Sequence, residues 1–130
     1  MNITLYGCPI TKKNSQRIVH TGQYYRILPS KQYKRYEADC LAQITGDMRQ
    51  NIDAPVNLKA VYYMPTRRKV DLGNLNAALH DILVDAGVLV DDNRDVVAGH
   101  DGSRVFYDKD NPRVEVEITP MVGYKQWAKK

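Results

Sequence analysis

The chain has 130 residues, of which 43% are hydrophobic and 26% charged, and its formal net charge is +4. This length and composition predict one domain over residues 1–130, and they exclude a fibrous or low-complexity chain. Charged residues interrupt every apolar run well below membrane-spanning length, and the first residues lack the order of a signal peptide. We therefore expect a protein without membrane contacts that acts in the cytoplasm.

Cysteine content and charge distribution narrow the possible functions. Cys8 and Cys40 have no metal-ligand spacing, so neither a disulfide framework nor a zinc site is predicted. Residues 1–69 carry a net charge of +8, and residues 70–130 carry −4. A basic half suits phosphate binding, and an acidic half suits sites that hold cations. A solvated surface would explain the same charges, so the asymmetry alone leaves both interpretations open.

The N-terminal third is predicted to contain two extended stretches and a helix. Residues 3–6 indicate a strand, and the polar residues 11–17 indicate an exposed loop because they show no periodicity. A second extended stretch covers residues 24–28. Ser30 is a candidate N-cap for a helix that ends near residues 48–50. The apolar positions of this helix are Tyr36, Cys40, Leu41, Ile44 and Met48.

In the middle of the chain the apolar residues first recur at the spacing of a strand and then at the spacing of a helix. Every second residue between positions 56 and 64 is apolar, which predicts a strand with one buried face. A basic loop follows at residues 66–69. One apolar stripe predicts a second helix over residues 72–86, and Gly87 stands where a left-handed C-terminal cap belongs. The stripe consists of Leu72, Leu75, Leu79, Ile82, Leu83 and Ala86.

Two further strands are predicted in the C-terminal third, over residues 96–107 and 113–119. Residues 108–112 join them, and we expect the two strands to pair as an antiparallel hairpin. Residues 125–130 are expected to form a loose basic tail. Together the elements predict an α/β (α+β) fold, in which helices pack against a mixed sheet of about four to five strands.

Carboxylates gather on and just after the second predicted helix. Asp91 and Asp92 follow the helix in a segment whose apolar lead-in directs it back toward the core. Two clusters on different segments can therefore meet. Such a meeting suits phosphodiester hydrolysis, because Mg²⁺ activates water and neutralises charge using oxygen ligands alone. The residues on one flank of the helical wheel are Asp71, Asn74, Asp81 and Asp85.

Each of these acids also has an ordinary structural interpretation. Asp71 is a candidate helix N-cap, Asp81 and Asp85 suit a solvated helix face, and Asp91 and Asp92 suit a turn. Spacing alone does not separate these interpretations from a metal site.

Aromatic and histidine residues add one open alternative. A group of tyrosines interleaved with basic residues either stacks unpaired bases or packs in the core and at interfaces. His20, His80 and His100 are isolated in the sequence, and His80 is predicted on the helix face away from the core. The tyrosines are Tyr24, Tyr25, Tyr33, Tyr36, Tyr62 and Tyr63.

Two blocks of sequence resemble the signature of RusA-family Holliday junction resolvases. Residues 7–14, GCPITKKN, resemble the family's Gly-x-Pro-x-x-Lys start. Residues 68–75, RKVDLGNL, followed by a helix with an internal Asp and by the Asp91-Asp92 pair, resemble its second block. The resemblance extends over residues 5–100. It implies a bacterial or phage-encoded homodimer that cuts branched DNA, chiefly four-way junctions, in recombination and repair.

The resemblance also implies roles for individual residues. Asp71 and Asp92 match essential metal-binding acids, and Asp91 matches the residue that precedes the second acid. Asn74 and Asp81 match supporting polar positions. The implied cofactor is Mg²⁺, with Mn²⁺ as a substitute. The residues expected to bind DNA are Lys12, Lys13, Asn14, Arg17, Arg67, Arg68 and Lys69.

Two positions depart from the family pattern. Gly73 stands where the pattern has a second Asp, and Ala77 stands where it has a Lys. These departures leave two alternatives open beside the resolvase. One is a non-catalytic or weakly catalytic branched-DNA-binding protein on the same scaffold, and the other is a nuclease that acts on flaps or other branched intermediates. Candidate replacements are Asp81, Asp85 and Asp95 for the acid, and Arg68, Lys69, Lys12 and Lys13 for the cation.

Overall fold

A computed structural model describes residues 1–12, 16–22 and 24–121, with side chains for all of them except residues 16–21 and 24–29. The helices are α1 (Lys31–Gln43) and α2 (Leu72–Asp85), and one turn of 3-10 helix covers Gly46–Met48. No helix within the described ranges has the length and apolar character needed to cross a membrane. The strands are β1 (Asn2–Tyr6), β2 (Gln16–Thr21), β3 (Tyr24–Pro29), β4 (Val56–Met64), β5 (Val97–Gly99), β6 (Arg104–Tyr107) and β7 (Arg113–Pro120).

Five of the described strands form one mixed sheet around β4. On one side, β7 pairs antiparallel with β4 and with β1. On the other side, β5 and β6 both pair in parallel with β4, one after the other. β2 and β3 form a separate antiparallel ribbon. The predicted α+β class, with a mixed sheet of four to five strands, is therefore confirmed.

The core lies between the two helices and the sheet. Alternate residues of β4 from Val56 to Tyr62 are buried, which confirms the strand predicted over residues 56–64. The apolar stripe of α2 is buried from Leu75 to Leu83. Each large side chain buried in this way contributes about 1.5–3 kcal/mol to folding.

α2 begins and ends close to the predicted positions. Asp71 is its N-cap, and the carboxylate Oδ1 accepts a hydrogen bond from the Asn74 amide at 3.2 Å. At the other end Gly87 has a φ of 79°, and the Val88 amide donates to the Leu83 carbonyl at 2.9 Å. This Schellman arrangement requires a residue with positive φ after the helix, which glycine supplies without strain. The predicted cap at Gly87 is confirmed.

α1 ends earlier than predicted. Ser30 is the N-cap, as expected, but the last helical residue is Gln43 rather than a residue near 48–50. Ile44 has a ψ of 118°, which is extended. The Arg49 guanidinium donates to carbonyls at this end of the helix, including that of Ile44 at 3.1 Å. The side chain thus replaces the hydrogen bonds that a longer helix would have made.

The exposed loop predicted over residues 11–17 is only partly correct. Thr11 is buried, and β2 begins at Gln16. Residues 13–15 lie outside the described residues. Apolar and polar residues do not alternate along β2, so the sequence gives no periodic signal for a strand. The backbone of β2 pairs with that of β3, and this pairing is not visible in a hydrophobicity pattern.

The predicted C-terminal hairpin is wrong. Residues 96–107 contain two short strands, β5 and β6, and β7 lies on the opposite side of β4 from both. The Asp108 amide donates to the Met64 carbonyl at 2.8 Å, so the connection passes across the end of β4. β4 is the longest of the described strands, and other strands pair along both of its edges in this arrangement.

Candidate active site

Asp71 lies at the N-terminus of α2, directly after the basic loop. Its side chain is exposed, and Oδ1 caps the helix. Oδ2 has no hydrogen-bond partner among the described residues, so this oxygen is available to a ligand. The neighbouring Gly73 is close: a Cβ at that position would lie 3.1 Å from Asp71 Oδ1.

Asp91 and Asp92 belong to a tight turn after α2. Both carboxylate oxygens of Asp91 hold this turn, because Oδ1 accepts from the Asp92 amide at 2.7 Å and Oδ2 accepts from the Asn93 side chain at 3.2 Å. Asp92 is free of such turn contacts, and its side chain is 44% exposed. Asp91 therefore shapes the loop, and Asp92 presents a carboxylate from it.

His80 is the residue of α2 that Asp92 approaches. Its Nδ1 lies 3.6 Å from Asp92 Oδ2, and the ring is only 13% exposed. Burial, followed by the effect of His100, lowers the pKa of His80, although Asp92 and Asp81 act in the opposite direction. A neutral imidazole has one proton, and the carboxylate favours its placement on Nδ1. Nε2 then remains as a buried acceptor, and it has no partner among the described residues.

His100 holds the His80 ring from the sheet side. The two rings are stacked, with centroids 4.9 Å apart and an angle of 10° between their planes. His100 Nδ1 lies 3.1 Å from the Leu58 carbonyl, in the part of β4 between its pairings with β5 and β6. Ser103 Oγ fills the same gap by accepting from the Ala60 amide at 3.1 Å. Side chains thus replace a missing strand partner there.

The sequence predictions about histidines were wrong for His80 and His100. They are not isolated, and His80 does not lie on the face away from the core. A signal was present in the sequence: Asn76 and Leu83, four residues before and three after His80, are both buried and share its side of the helix. Contact with His100 comes from the sheet and has no local sequence signal.

The two predicted acidic clusters approach different levels of α2. Asp92 contacts the helix at His80, and Asp71 lies nine residues earlier, which is about 14 Å along the axis. Asp81 is engaged by Lys12, whose Nζ lies 3.1 Å from Asp81 Oδ2. Within the described part of the chain, no group of three or more His, Cys, Asp or Glu side chains is positioned to hold a metal ion. Asn74 is half-buried beside Asp71.

The residues expected to bind DNA are placed unequally. Arg67, Arg68 and Lys69 are exposed in the loop between β4 and α2. Lys12 is half-buried and paired with Asp81. The side chains of the other three predicted residues are not described. Lys13 and Asn14 lie outside the described residues, and for Arg17 only the backbone is described.

Three of the six tyrosines considered for base stacking belong to the core. Tyr33, Tyr36 and Tyr62 are buried, and burial raises the pKa of each above its ordinary value. Tyr63 is half-buried under the Arg113 guanidinium, whose Cζ lies 3.9 Å from the ring centroid. The side chains of residues 24–25 lie outside the description. The packing interpretation therefore holds for the three buried tyrosines.

Comparison with known proteins identifies the family. A search of curated proteins found no match. The family model described as endodeoxyribonuclease RusA matches residues 7–119, which include the first block from Gly7 onward and the segment from Asp71 to Asp92. Because this match covers most of the sequence, the chain belongs to the RusA endodeoxyribonuclease family.

Proposed function

We propose that the chain is a structure-selective endonuclease that resolves Holliday junctions and related branched DNA by Mg²⁺-dependent phosphodiester hydrolysis, in recombination and repair. The observation that supports this most is the family match over residues 7–119. Membership of this family implies junction-resolving endodeoxyribonuclease activity in general. The exposed carboxylates of Asp71 and Asp92 supply the chemistry that such a reaction needs.

The donor chemistry of these two acids fits Mg²⁺. Asp71 has a free Oδ2, and Asp92 presents an exposed carboxylate. Mg²⁺ is commonly held by one or two carboxylates together with waters and substrate phosphates, so a protein cage of three ligands is not required. Because they approach different levels of α2, Asp71 and Asp92 would each offer an oxygen to an ion of its own, and Asp91 would hold the loop. The ion supplies an activated water and neutralises charge on the phosphate, and Mn²⁺ would substitute.

We also propose that the protein acts as a homodimer. Twofold symmetry would set two identical sites at a fixed separation, and this symmetry matches the pseudo-twofold symmetry of a four-way junction. Sedimentation of the purified protein tests this proposal, because a monomer at the concentrations that support cleavage would contradict it.

The function is tested with a labelled four-way junction and a matched linear duplex, each incubated with Mg²⁺ or with EDTA. We expect cleavage of the junction only, and only with Mg²⁺. Asp71→Asn and Asp92→Asn should each lower cleavage by roughly a hundredfold or more while junction binding persists. Asparagine also caps helices well, so Asp71→Asn should not unfold α2.

Asp85→Asn is the matched control for these variants. Asp85 is an exposed acid at the far end of α2, about 20 Å from Asp71 along the axis. Its replacement should leave cleavage unchanged, whereas a loss would identify it as the acid that replaces the one absent at Gly73. If both Asp71→Asn and Asp92→Asn cleaved at the wild-type rate, the assignment of the acids would be wrong.

A second candidate function is branched-DNA binding without efficient cleavage. It is favoured by Gly73 and Ala77, which supply neither the acid nor the cation of the family pattern. The same junction assay separates the two functions, because a binding protein would shift the junction in a gel and leave its strands intact in Mg²⁺ and in Mn²⁺.

A further inference from the structure

Two consecutive residues of β6 are exposed aromatics, and their side chains point to opposite faces of the sheet because successive strand residues alternate. Phe106 is 51% exposed and Tyr107 is 44% exposed, although large apolar side chains are usually buried. Among the described strands β6 pairs only with β4, so both rings lie at an edge of the sheet. Neither ring belongs to the tyrosine group that the sequence suggested for base stacking.

Phe106 and Tyr107 line a cleft of about 360 Å³ between β6 and the loop that leads into α2. The Tyr107 ring meets that loop at Arg67, whereas the Phe106 ring lies against Tyr63. Met64 and Val105 contribute apolar surface to the cleft, and both are partly buried against the core. Arg67 and Arg68 line the cleft from the loop. Its volume lies in the range of pockets that bind small ligands, and it combines apolar surface with positive charge.

The positive charge beside the rings is not neutralised within the described part of the chain. Arg67 lies over Tyr107, with Cζ 4.6 Å from the ring centroid, which is a cation–π contact. Arg67, Arg68 and Lys69 form no ion pair there. Other cations do, including Lys12, Lys34 and Arg113. The loop cations are therefore available to an external anion such as phosphate.

We propose that this cleft is a subsite for an unpaired nucleotide, whose base stacks on Tyr107 while Arg67 or Arg68 binds its phosphate. The inference rests on the proposed function, which supplies DNA as the substrate. Aromatic stacking accepts any base, so it distinguishes unpaired from paired DNA rather than one sequence from another. Asp71 follows Arg67 by four residues, so the nucleotide would lie close to the strand that is cut.

A second copy of the chain is the competing occupant of this edge. A twofold interface would bring the same surface of both copies together. Arg67 and Arg68 of the two copies would then approach each other across a cleft whose lining residues include no acid, and like charges repel. The charge of the cleft therefore favours a nucleic acid over a second copy.

The test measures binding in EDTA, so that no cleavage occurs, to a single-stranded oligonucleotide containing 2-aminopurine and to a duplex of the same sequence. We expect Tyr107→Ala to lower affinity for the single strand by about tenfold, with little change for the duplex. Quenching of 2-aminopurine by the wild type should also be lost. Tyr107→Leu, which keeps apolar volume but removes the ring, should behave like Tyr107→Ala.

Tyr6→Ala is the matched control, because Tyr6 is 55% exposed on β1, at the opposite edge of the sheet. It should bind both DNAs like the wild type. Unchanged single-strand affinity in the β6 variants would overturn the proposal, and so would an equal loss for both DNAs. A variant that turned a dimer into a monomer at unchanged affinity would assign the edge to a second copy. If the wild type cleaves junctions and the β6 variants bind DNA as the wild type does, only the subsite is rejected. If affinity depends on the ring but the wild type does not cleave junctions, only the nuclease function is rejected.

Discussion

At the scale of single residues, His80 connects the exposed Asp92 carboxylate to the sheet. One side of its ring is stacked on His100, which in turn lies against the Leu58 carbonyl. Its Nδ1 faces Asp92. A ring fixed in this way restricts the positions that Asp92 can take. Residues that orient a metal-binding carboxylate affect activity by about tenfold to a hundredfold, so His80 is a positioning residue in the proposed site.

We expect His80→Phe to lower kcat for junction cleavage by about tenfold or more. Phenylalanine keeps a ring on His100 but presents no N–H to Asp92. KM and the melting temperature should change little. His80→Asn should restore part of the rate, because its amide nitrogen lies as far from the backbone as Nδ1. Equal kcat for the wild type and His80→Phe would show that His80 serves packing alone.

Gly73 and Ala77 lead to a second residue-scale prediction. We expect the wild type to cleave junctions, and we expect Gly73→Asp with Ala77→Lys to leave the rate unchanged or lower it. An Asp at position 73 would place its Cβ 3.1 Å from Asp71 Oδ1, which disturbs the cap and sets two carboxylates together. Ala77 is exposed, so Ala77→Lys alone is a tolerated control. A wild type that is silent in Mg²⁺ and Mn²⁺, but active with both substitutions, would contradict this prediction.

Sequence patterns predicted the acids of the site but not their surroundings. Asp71 was recognisable twice, as a helix N-cap and as the start of a family motif, and the structure places it at the cap. The contact between Asp92 and His80 depends on how the loop after α2 returns to the helix. The stack with His100 depends on a gap along β4. Neither relation has a periodic signal in the sequence.

At the scale of elements, Arg49 ties together the ends of both helices. Its Nη1 donates to the Ala86 carbonyl at the C-cap of α2 at 2.7 Å. Its Nη2 donates to the Leu41 and Ile44 carbonyls at the end of α1, at 3.3 and 3.1 Å. A guanidinium at two helix C-termini satisfies free carbonyls and interacts favourably with both dipoles.

We expect Arg49→Ala to lower the free energy of unfolding by about 1–2 kcal/mol. This value already allows for the exposure of the Arg49 side chain, because solvent weakens its hydrogen bonds. Arg49→Lys should recover less than half of the loss, because one ammonium cannot reach both helix ends as a forked guanidinium does. Urea unfolding followed by circular dichroism measures both variants. Lys109→Ala is the control, because Lys109 is exposed and forms no side-chain hydrogen bond or ion pair with the described residues. Equal stability of all three variants and the wild type would contradict the role of Arg49.

The success of the element predictions depended on whether local signals agreed. For α2, the apolar period, the cap at Asp71 and the glycine at position 87 all indicated the same helix, and the prediction was accurate. The end of α1 was misplaced because the Arg49 side chain, several residues later, takes over the last carbonyls. The hairpin between β6 and β7 failed because β4 lies between these strands in the sheet.

At the scale of the whole molecule, the charge asymmetry of the sequence does not map onto two sides of the fold. Lys12 from the basic half pairs with Asp81 from the acidic half. The basic loop at residues 67–69 runs directly into Asp71. Cations and carboxylates are therefore adjacent at the candidate site, as a nuclease needs when it binds phosphate and metal together. The contact between Lys12 and Asp81 could not be read from the two sequence halves, because folding creates it.

The dependence of DNA affinity on salt tests whether the loop cations bind phosphates. Each phosphate neutralised on duplex DNA adds about 0.9 to the slope of log affinity against log salt concentration. We expect replacement of Arg67, Arg68 and Lys69 together by alanine to reduce that slope by about 2–3. Because all three side chains are exposed, the variant should keep the fold. Lys34→Ala, which removes an exposed lysine paired with Glu37 on α1, should leave the slope unchanged. Fluorescence anisotropy with a labelled duplex between about 50 and 200 mM salt gives the slopes. An unchanged slope in the triple variant would mean that these cations only solvate the surface, and binding would then have to depend on other basic residues.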